Sequence, residues 1–164
     1  MIVLNASPLI YLTRIQKLDY IFQLYGVIYI SKKVYEEVII RGKKLQKGEV
    51  SKIELFIEEN KIQVKKVEVE ESLYPRNLHQ GEMETIQLAR NLQSKILIDD
   101  RPAYNLCKLL NLDVIRTVGI LIELFMHKKY DKLKLKNNII KLTNEGFWIT
   151  SDILGKIEEF LNDF

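Results

Sequence analysis

Lys95-Ile96-Leu97-Ile98-Asp99-Asp100-Arg101-Pro102-Ala103 is the stretch that decides the fold. Three consecutive apolar residues, two of them isoleucine, predict a buried strand. Two aspartates follow directly, and Pro102 suits the first turn of a helix, where its missing N–H is not needed. Two carboxylates are therefore expected at the carboxyl end of a buried strand, the edge at which ligands collect in open α/β sheets.

Length and composition predict one globular domain covering residues 1–164. The 164 residues are 47% hydrophobic and 29% charged, and no apolar run approaches the roughly 20 residues that span a membrane. The chain starts with a strand-like run and no basic leader, so a cytoplasmic protein is expected. The single cysteine, Cys107, excludes an internal disulfide framework and a cysteine-based zinc site.

The overall charge is too small to indicate a partner. A net charge of +3, from 25 basic and 22 acidic residues, does not by itself imply nucleic acid. Two lysine clusters could contact a phosphate backbone, although a solvated surface is the simpler interpretation. They are Lys43, Lys44 and Lys47, and then Lys128, Lys129, Lys132, Lys134 and Lys136.

Strand and helix patterns alternate along the chain. The predicted strands cover residues 2–4, 27–30, 61–70, 96–98 and 114–115. The predicted helices cover residues 8–22, 31–41, 49–59, 81–93, 102–110, 118–127 and about 151–163, the last packing on the domain or on a partner subunit. Short buried strands between helices predict an α/β fold with a central parallel sheet flanked by helices.

Capping residues suggest where some of these helices begin and end. Ser7 is expected to cap the first helix, with Pro8 at its first position, and Ser151 to cap the last. Gly42 is a natural stop for the second helix. Residues 132–142 fit no single pattern, and residues 147–150 resemble an extended segment.

Oxygen donors at four places could serve a divalent cation, which prefers oxygen ligands. They are the pair Asp99 and Asp100, Glu82, one of Glu36 and Glu37, and Asn5. One aspartate of the pair would suffice to cap a helix, so two in a row favour a functional role. Asn5, at the end of the first strand, would contribute a neutral carbonyl oxygen.

Each glutamate also has a simpler interpretation. Glu82 lies on the apolar face of its helix, although an acid in a first turn also suits the helix dipole. Glu84 lies closer to solvent. Spacing does not choose between Glu36 and Glu37, and Glu37 could instead pair with Arg41 four residues later.

The chain lacks the sequence motifs of several other kinds of catalytic site. The chain has no Gly-rich phosphate loop, no zinc-binding histidine spacing and no G-x-S-x-G elbow. His79 and His127 are isolated and are expected at the surface. Phe147 and Trp148 are interpreted as core residues rather than base-stacking platforms.

Five segments in order resemble the PIN-domain family of nucleases, and the closest likeness is to short, toxin-like (VapC-like) prokaryotic members. The segments are Ile2-Val3-Leu4-Asn5-Ala6-Ser7-Pro8-Leu9-Ile10, Val34-Tyr35-Glu36-Glu37-Val38, Gly81-Glu82-Met83-Glu84-Thr85-Ile86, Ile96-Leu97-Ile98-Asp99-Asp100-Arg101 and Thr117-Val118-Gly119-Ile120-Leu121. The likeness covers most of the chain. It implies a Rossmann-like, three-layer fold with an acidic pocket at the carboxyl edge of the sheet.

The resemblance also implies an activity and a set of roles. The activity is Mg²⁺- or Mn²⁺-dependent cleavage of RNA by an endoribonuclease. Its metal ligands would be Glu37, Glu82, Asp100 and Asn5, with Asp99 as an auxiliary catalytic acid. Its substrate-binding residues would be Ser7, Arg101 and Thr117. A small antitoxin, as in a type II toxin–antitoxin pair, and a second copy of the chain are the implied protein partners.

Asn5 departs from the family pattern. PIN nucleases usually have aspartate at the end of the first strand, where it is a central metal ligand. Asparagine removes one of four negative charges, which lowers the expected affinity for metal. The alternative function is therefore a catalytically weakened PIN fold that binds RNA or a protein without cutting.

Overall fold

The computed structural model describes residues 1–127 and 131–163, and its centre is a parallel β-sheet. The strands in this part of the chain are β1 (Ile2–Leu4), β2 (Ile28–Ser31), β3 (Ile62–Lys65), β4 (Lys95–Leu97) and β5 (Val114–Ile115). Their order across the sheet is β3-β2-β1-β4-β5, and every pair is parallel. The parallel sheet expected from the buried strands is confirmed.

The strand order reverses between β1 and β4. From β1 the chain moves outward through β2 and β3, and then returns to the other side of β1 to form β4 and β5. Leu4 pairs with Leu97 across this boundary, and the N–H of Asn5 donates to the carbonyl oxygen of Leu97 at 3.1 Å. Such a reversal leaves a crevice beyond the carboxyl ends of the two strands.

Helices cover both faces of the sheet, which confirms the three-layer α/β architecture. The helices are α1 (Ala6–Arg14), α2 (Leu18–Tyr25), α3 (Lys32–Tyr35), α4 (Arg41–Lys44), α5 (Val50–Glu58), α6 (Gln80–Leu92), α7 (Arg101–Leu109), α8 (Thr117–Met126), α9 (Lys132–Asn144) and α10 (Ser151–Asn162). A π-helical segment, Glu36–Ile40, joins α3 to α4, and Glu71–Leu73 forms a 3₁₀ turn.

Side chains alternate between two cores on opposite faces of the sheet. Ile2 and Leu4 of β1 belong to the larger core, together with residues of α1, α2, α5, α8 and α9. Val3 points the other way, into a smaller core with α6 and α7. Ile157 and Leu161 place α10 on the larger core of the same chain. Among the described residues no helix is both long and apolar enough to cross a membrane.

The first predicted helix is wrong in two respects. It is broken into α1 and α2 at Gln16, whose φ of 57° ends a right-handed helix. It also begins earlier than expected, because Asn5 is the N-cap and its carbonyl oxygen accepts from the N–H of Leu9. Pro8 is therefore the third helical residue, where its missing N–H still removes no intrahelical bond.

Gly42 does not end the second predicted helix. The chain stays helical to Lys44, and the N–H of Arg41 donates to the carbonyl oxygen of Glu36, the wider spacing of a π turn. Gly42 is buried because α5 packs directly against it. A Cβ at this position would lie 2.6 Å from Cγ2 of Val50.

Three other segments differ from the prediction or were left undecided by it. The strand predicted over 61–70 is shorter, because only Ile62–Lys65 pairs with β2. The ambiguous 132–142 segment is helical, within α9. Residues 147–150 lie in neither a helix nor a strand, and Thr150 rather than Ser151 caps α10 by accepting from the N–H of Ile153. Lys128 and Lys129 of the second lysine cluster lie outside the described residues.

Replacing Gly42 and Gly155 with alanine is expected to have opposite effects on stability. Gly42→Ala gains about 1 kcal/mol of helix propensity but forces Val50 to move, at a cost of about 1–3 kcal/mol. Gly155→Ala, within α10, gains about 0.5–1 kcal/mol, because a Cβ there meets no described neighbouring element within 4 Å. Urea unfolding of both variants measures the difference. Stabilisation of equal size in both would contradict the packing of Gly42 against Val50.

Candidate functional site

Two adjoining cavities lie at the carboxyl edge of the sheet and share Asn5 and Glu82. The larger, about 530 Å³, also contains Ser7, Asp99 and Asp100. The smaller, about 490 Å³, contains Glu37. Parallel strands end at the same edge, so residues distant in sequence are brought together here. The acids named from sequence therefore line two cavities at this edge, Asp99 and Asp100 in the larger, Glu37 in the smaller and Glu82 in both.

Asp99 is bound to the start of α8. Its Oδ1 accepts from the N–H of Thr117 at 2.8 Å, and its Oδ2 accepts from the Thr117 hydroxyl at 2.7 Å. Burial nevertheless raises the pKa of Asp99, although these bonds and the nearby Arg116 oppose the rise. Thr117 is fully buried and uses both donors on Asp99, so its role is to hold that carboxylate.

Asp100 and Glu82 each use one carboxylate oxygen to cap a helix. Oδ1 of Asp100 accepts from the N–H of Ala103 at 2.8 Å, at the start of α7. Oε2 of Glu82 accepts from the N–H of His79 at 2.9 Å, at the start of α6. Among the described residues, Oδ2 of Asp100 and Oε1 of Glu82 accept no hydrogen bond. Both acids thus combine a structural role with a free oxygen at the cavity.

The carboxylates at this edge repel one another. Burial raises the pKa of Glu82, and the charges of Asp100 and Glu37 raise it further. The hydrogen bond from His79 acts in the opposite direction. A divalent cation near these groups would remove this repulsion.

Glu37 lines the smaller cavity, whereas Glu36, its alternative from sequence, and Glu84, the alternative to Glu82, bind elsewhere. Glu36 pairs with the ammonium of Lys33 at 3.3 Å. Glu84 accepts from the backbone N–H of Lys33 at 2.9 Å. The Glu37 carboxylate instead approaches the start of α6 so closely that a Cβ at Gly81 would lie 2.9 Å from Oε1. Burial raises the pKa of Glu37, and Lys33 and His79 counteract this in part.

Asn5 is buried and lies against Thr85. The Thr85 hydroxyl is 2.6 Å from the carbonyl oxygen of Gly81 and 3.3 Å from Oδ1 of Asn5. A hydroxyl has one proton, and the shorter contact takes it, so the contact with Oδ1 is the weaker one. A reversed Asn5 amide would place its NH₂ against Thr85 as a donor and turn Oδ1 away from it.

Sequence reasoning did not assign the basic residues that line the two cavities. Arg116 lines the larger cavity, whereas Lys33, Arg41 and His79 line the smaller one. The only sequence signal for Arg116 was its position directly after a short buried strand. Of the residues expected to bind substrate, Ser7 lines the larger cavity, and Arg101 is exposed outside both.

Three aromatic residues line the larger cavity together with the acids. They are Tyr11, Phe147 and Trp148. Phe147 packs edge-on against Tyr11, with ring centroids 5.0 Å apart. Trp148 is 85% exposed, so its assignment to the core was wrong.

A family model described as a PIN domain matches residues 1–163 of the chain. The chain belongs to the PIN-domain family. This match and the parallel sheet confirm the likeness found in the sequence, and PIN domains are generally nucleases that use divalent metals. A search of the curated proteins finds no match.

The oxygen ligands that this PIN domain offers suit a cation that keeps several waters better than one coordinated only by protein. Among residues 1–127 and 131–163, no three His, Cys, Asp or Glu side chains form a ready-made metal cluster. Mg²⁺ does not require one, because it usually keeps several waters and binds through one or two carboxylates. Glu82 and Asp100 supply two carboxylates with free oxygens, and Asn5 supplies an amide.

Glu37→Gln is expected to stabilise the metal-free protein at pH 7 but not at pH 4. The pKa of Glu37 is raised above its ordinary 4.5, so the folded state binds this proton more tightly than the unfolded state. Its stabilising contribution is present at low pH and is lost as the pH rises through the raised pKa. Thermal melts of both proteins, in chelator across this range, measure the difference.

Glu36→Gln is the matched control, because Glu36 lies in the same π-helical segment but pairs with Lys33. It should show no gain at pH 7. An equal gain for Glu37→Gln at both pH values would show a packing effect and contradict the charge argument.

Proposed function

We propose that this PIN-domain protein is a divalent-metal-dependent endoribonuclease. The observation that carries the proposal is the pairing of Glu82 with Asp100 beside Asn5, at the reversal point of a parallel sheet. Each of the two carboxylates keeps an oxygen that accepts no hydrogen bond among the described residues. Oxygen donors of this kind suit Mg²⁺ or Mn²⁺.

The roles of the acids follow from their positions. Glu82, Asp100 and the carbonyl oxygen of Asn5 would hold the cation, with Glu37 reaching it from the adjoining cavity. A bound cation would supply a more acidic water and a stabilising charge at the scissile phosphate. Glu37, the acid with no hydrogen-bonded partner among the described residues, would orient the attacking water.

Other residues would position these groups or the RNA. Asp99 holds Thr117 and so fixes the start of α8, where Arg116 enters the cavity. Ser7 lies in the first turn of α1 and lines the same cavity, so its hydroxyl would bind a phosphate oxygen. Arg101 is exposed next to Asp100 and would contact a phosphate farther along the strand.

Asp100→Asn is expected to lower RNA cleavage by at least about 100-fold, the effect of losing several kcal/mol of metal stabilisation. The fold should survive, because asparagine caps a helix as well as aspartate does. Cleavage of a labelled RNA by purified protein, with Mg²⁺, with Mn²⁺ and with chelator, is the measurement. Asp131→Asn is the matched control, because Asp131 caps α9 through an equal 2.8 Å bond from Lys134.

Full activity of the Asp100→Asn variant would exclude Asp100 as a ligand. Activity that persists in chelator would exclude a divalent metal altogether. Equal losses in the Asp131→Asn control would show that the assay reports on helix capping rather than on the site.

Asn5→Asp separates the endoribonuclease from its rival, a PIN fold that binds RNA or a protein without cutting. Aspartate adds a negative charge beside Glu82, so we expect a lower melting temperature without metal and tighter Mn²⁺ binding with it. Isothermal titration with Mn²⁺ and the cleavage assay measure both effects. If only the variant cleaves RNA, the natural protein is the binding module and the proposed activity is refuted.

The toxin role, the small antitoxin and the homodimer remain predictions from the likeness to toxin-like PIN proteins. Growth arrest on expression, relieved by Asp100→Asn, would support the toxin role. Size-exclusion chromatography with light scattering would measure the oligomeric state.

A further inference from the structure

Trp148 is an exposed aromatic residue beside the candidate site. It is the single tryptophan of the chain, and 85% of its surface is accessible. Tryptophan is normally well buried, because exposing its large apolar ring to water is unfavourable. An exposed indole at the rim of a cavity therefore indicates a surface that binds something.

The segment that carries Trp148 is well anchored. Gly146 enters it with a φ of +88°, which favours glycine, and its carbonyl oxygen accepts from the Tyr11 hydroxyl at 3.3 Å. Phe147 packs on the Tyr11 ring, and Thr150 caps α10. The indole is thus held on a fixed backbone, and little entropy is lost when a ligand binds it.

The cavity beside Trp148 combines three kinds of surface. Its lining residues include aromatic rings, the carboxylates of Asp100 and Glu82, and Arg116. The guanidinium carbon of Arg116 lies 4.4 Å from the centre of the Tyr104 ring. Its Nε is buried and has no hydrogen-bond partner among the described residues. An occupant that suits the aromatic rings and Arg116 has a flat π face and an anionic group.

We propose that Trp148 stacks on a base of single-stranded RNA next to the scissile phosphate, and that Arg116 binds a phosphate of the same strand. The proposal rests on the proposed nuclease function and adds a base-stacking residue and a phosphate-binding residue to it. Bases of a duplex are already stacked on one another, so only an unpaired strand offers a free face to the indole. Arginine suits the phosphate, because its planar fork donates to two oxygens at once.

The fluorescence of the Trp148 indole provides a measurement of RNA binding. Protein in chelator, to prevent cleavage, is titrated with a single-stranded RNA of about ten nucleotides while the fluorescence of Trp148 is recorded. We expect quenching by this strand and little by its duplex. We also expect Trp148→Ala to weaken binding of labelled RNA about tenfold or more, with Trp148→Phe retaining most of the affinity. Leu133→Ala is the control, because Leu133 is 67% exposed and lies outside the cavity.

Four results would overturn the proposal. The first three are equal quenching by the duplex, equal affinity for an abasic strand, and unchanged affinity in Trp148→Ala. An emission shift that follows protein concentration without RNA would also overturn it, because the indole would then be covered by a second copy of the chain. Quenching without cleavage by the natural protein would refute the nuclease and leave the stacking site intact.

Discussion

Backbone hydrogen bonds between β1 and β4 hold two strand ends side by side, and every candidate ligand of the site depends on that pairing. Asn5 leaves β1 with its N–H bound to Leu97, and Asp99 and Asp100 leave β4 two and three residues after Leu97. The strand order reverses at this boundary, so the connections diverge and leave space. Glu82 then reaches this space from α6, and Glu37 reaches the adjoining cavity from the π-helical segment.

Crowded carboxylates would destabilise such an edge if they were not bonded to the backbone. Asp99, Asp100 and Glu82 each accept at least one backbone N–H at the start of a helix. The positive end of a helix dipole offsets part of the cost of burying the charge. The capping interpretation and the functional interpretation of these residues are therefore compatible, because a carboxylate has two oxygens and a cap uses one. Of these three acids, only Asp99 uses both oxygens in hydrogen bonds with the described residues.

The repeated alternation of strands and helices could be predicted from the sequence, whereas features that depend on a single residue could not. Alternating strands and helices imply a common carboxyl edge, so Asp100, Glu82 and Asn5 could be placed there without coordinates. The break at Gln16 was not predictable, because a positive φ at a non-glycine residue has no reliable sequence signal. Trp148 was misplaced for a different reason. Aromatic residues belong to the core by default, and only the tertiary position of its loop exposes the indole.

Asn5 can be explained by its neighbours without assuming that activity was lost. The Thr85 hydroxyl gives its proton to Gly81, so the group opposite Thr85 should donate a hydrogen bond. A reversed amide would donate through its NH₂ and keep its carbonyl oxygen free of Thr85, whereas an ionised aspartate would set its lone pairs against those of Thr85. The amide also spares the edge a further negative charge beside Glu82. Asparagine is therefore expected to stabilise the metal-free protein and, because it removes a negative charge, to weaken the binding of a cation.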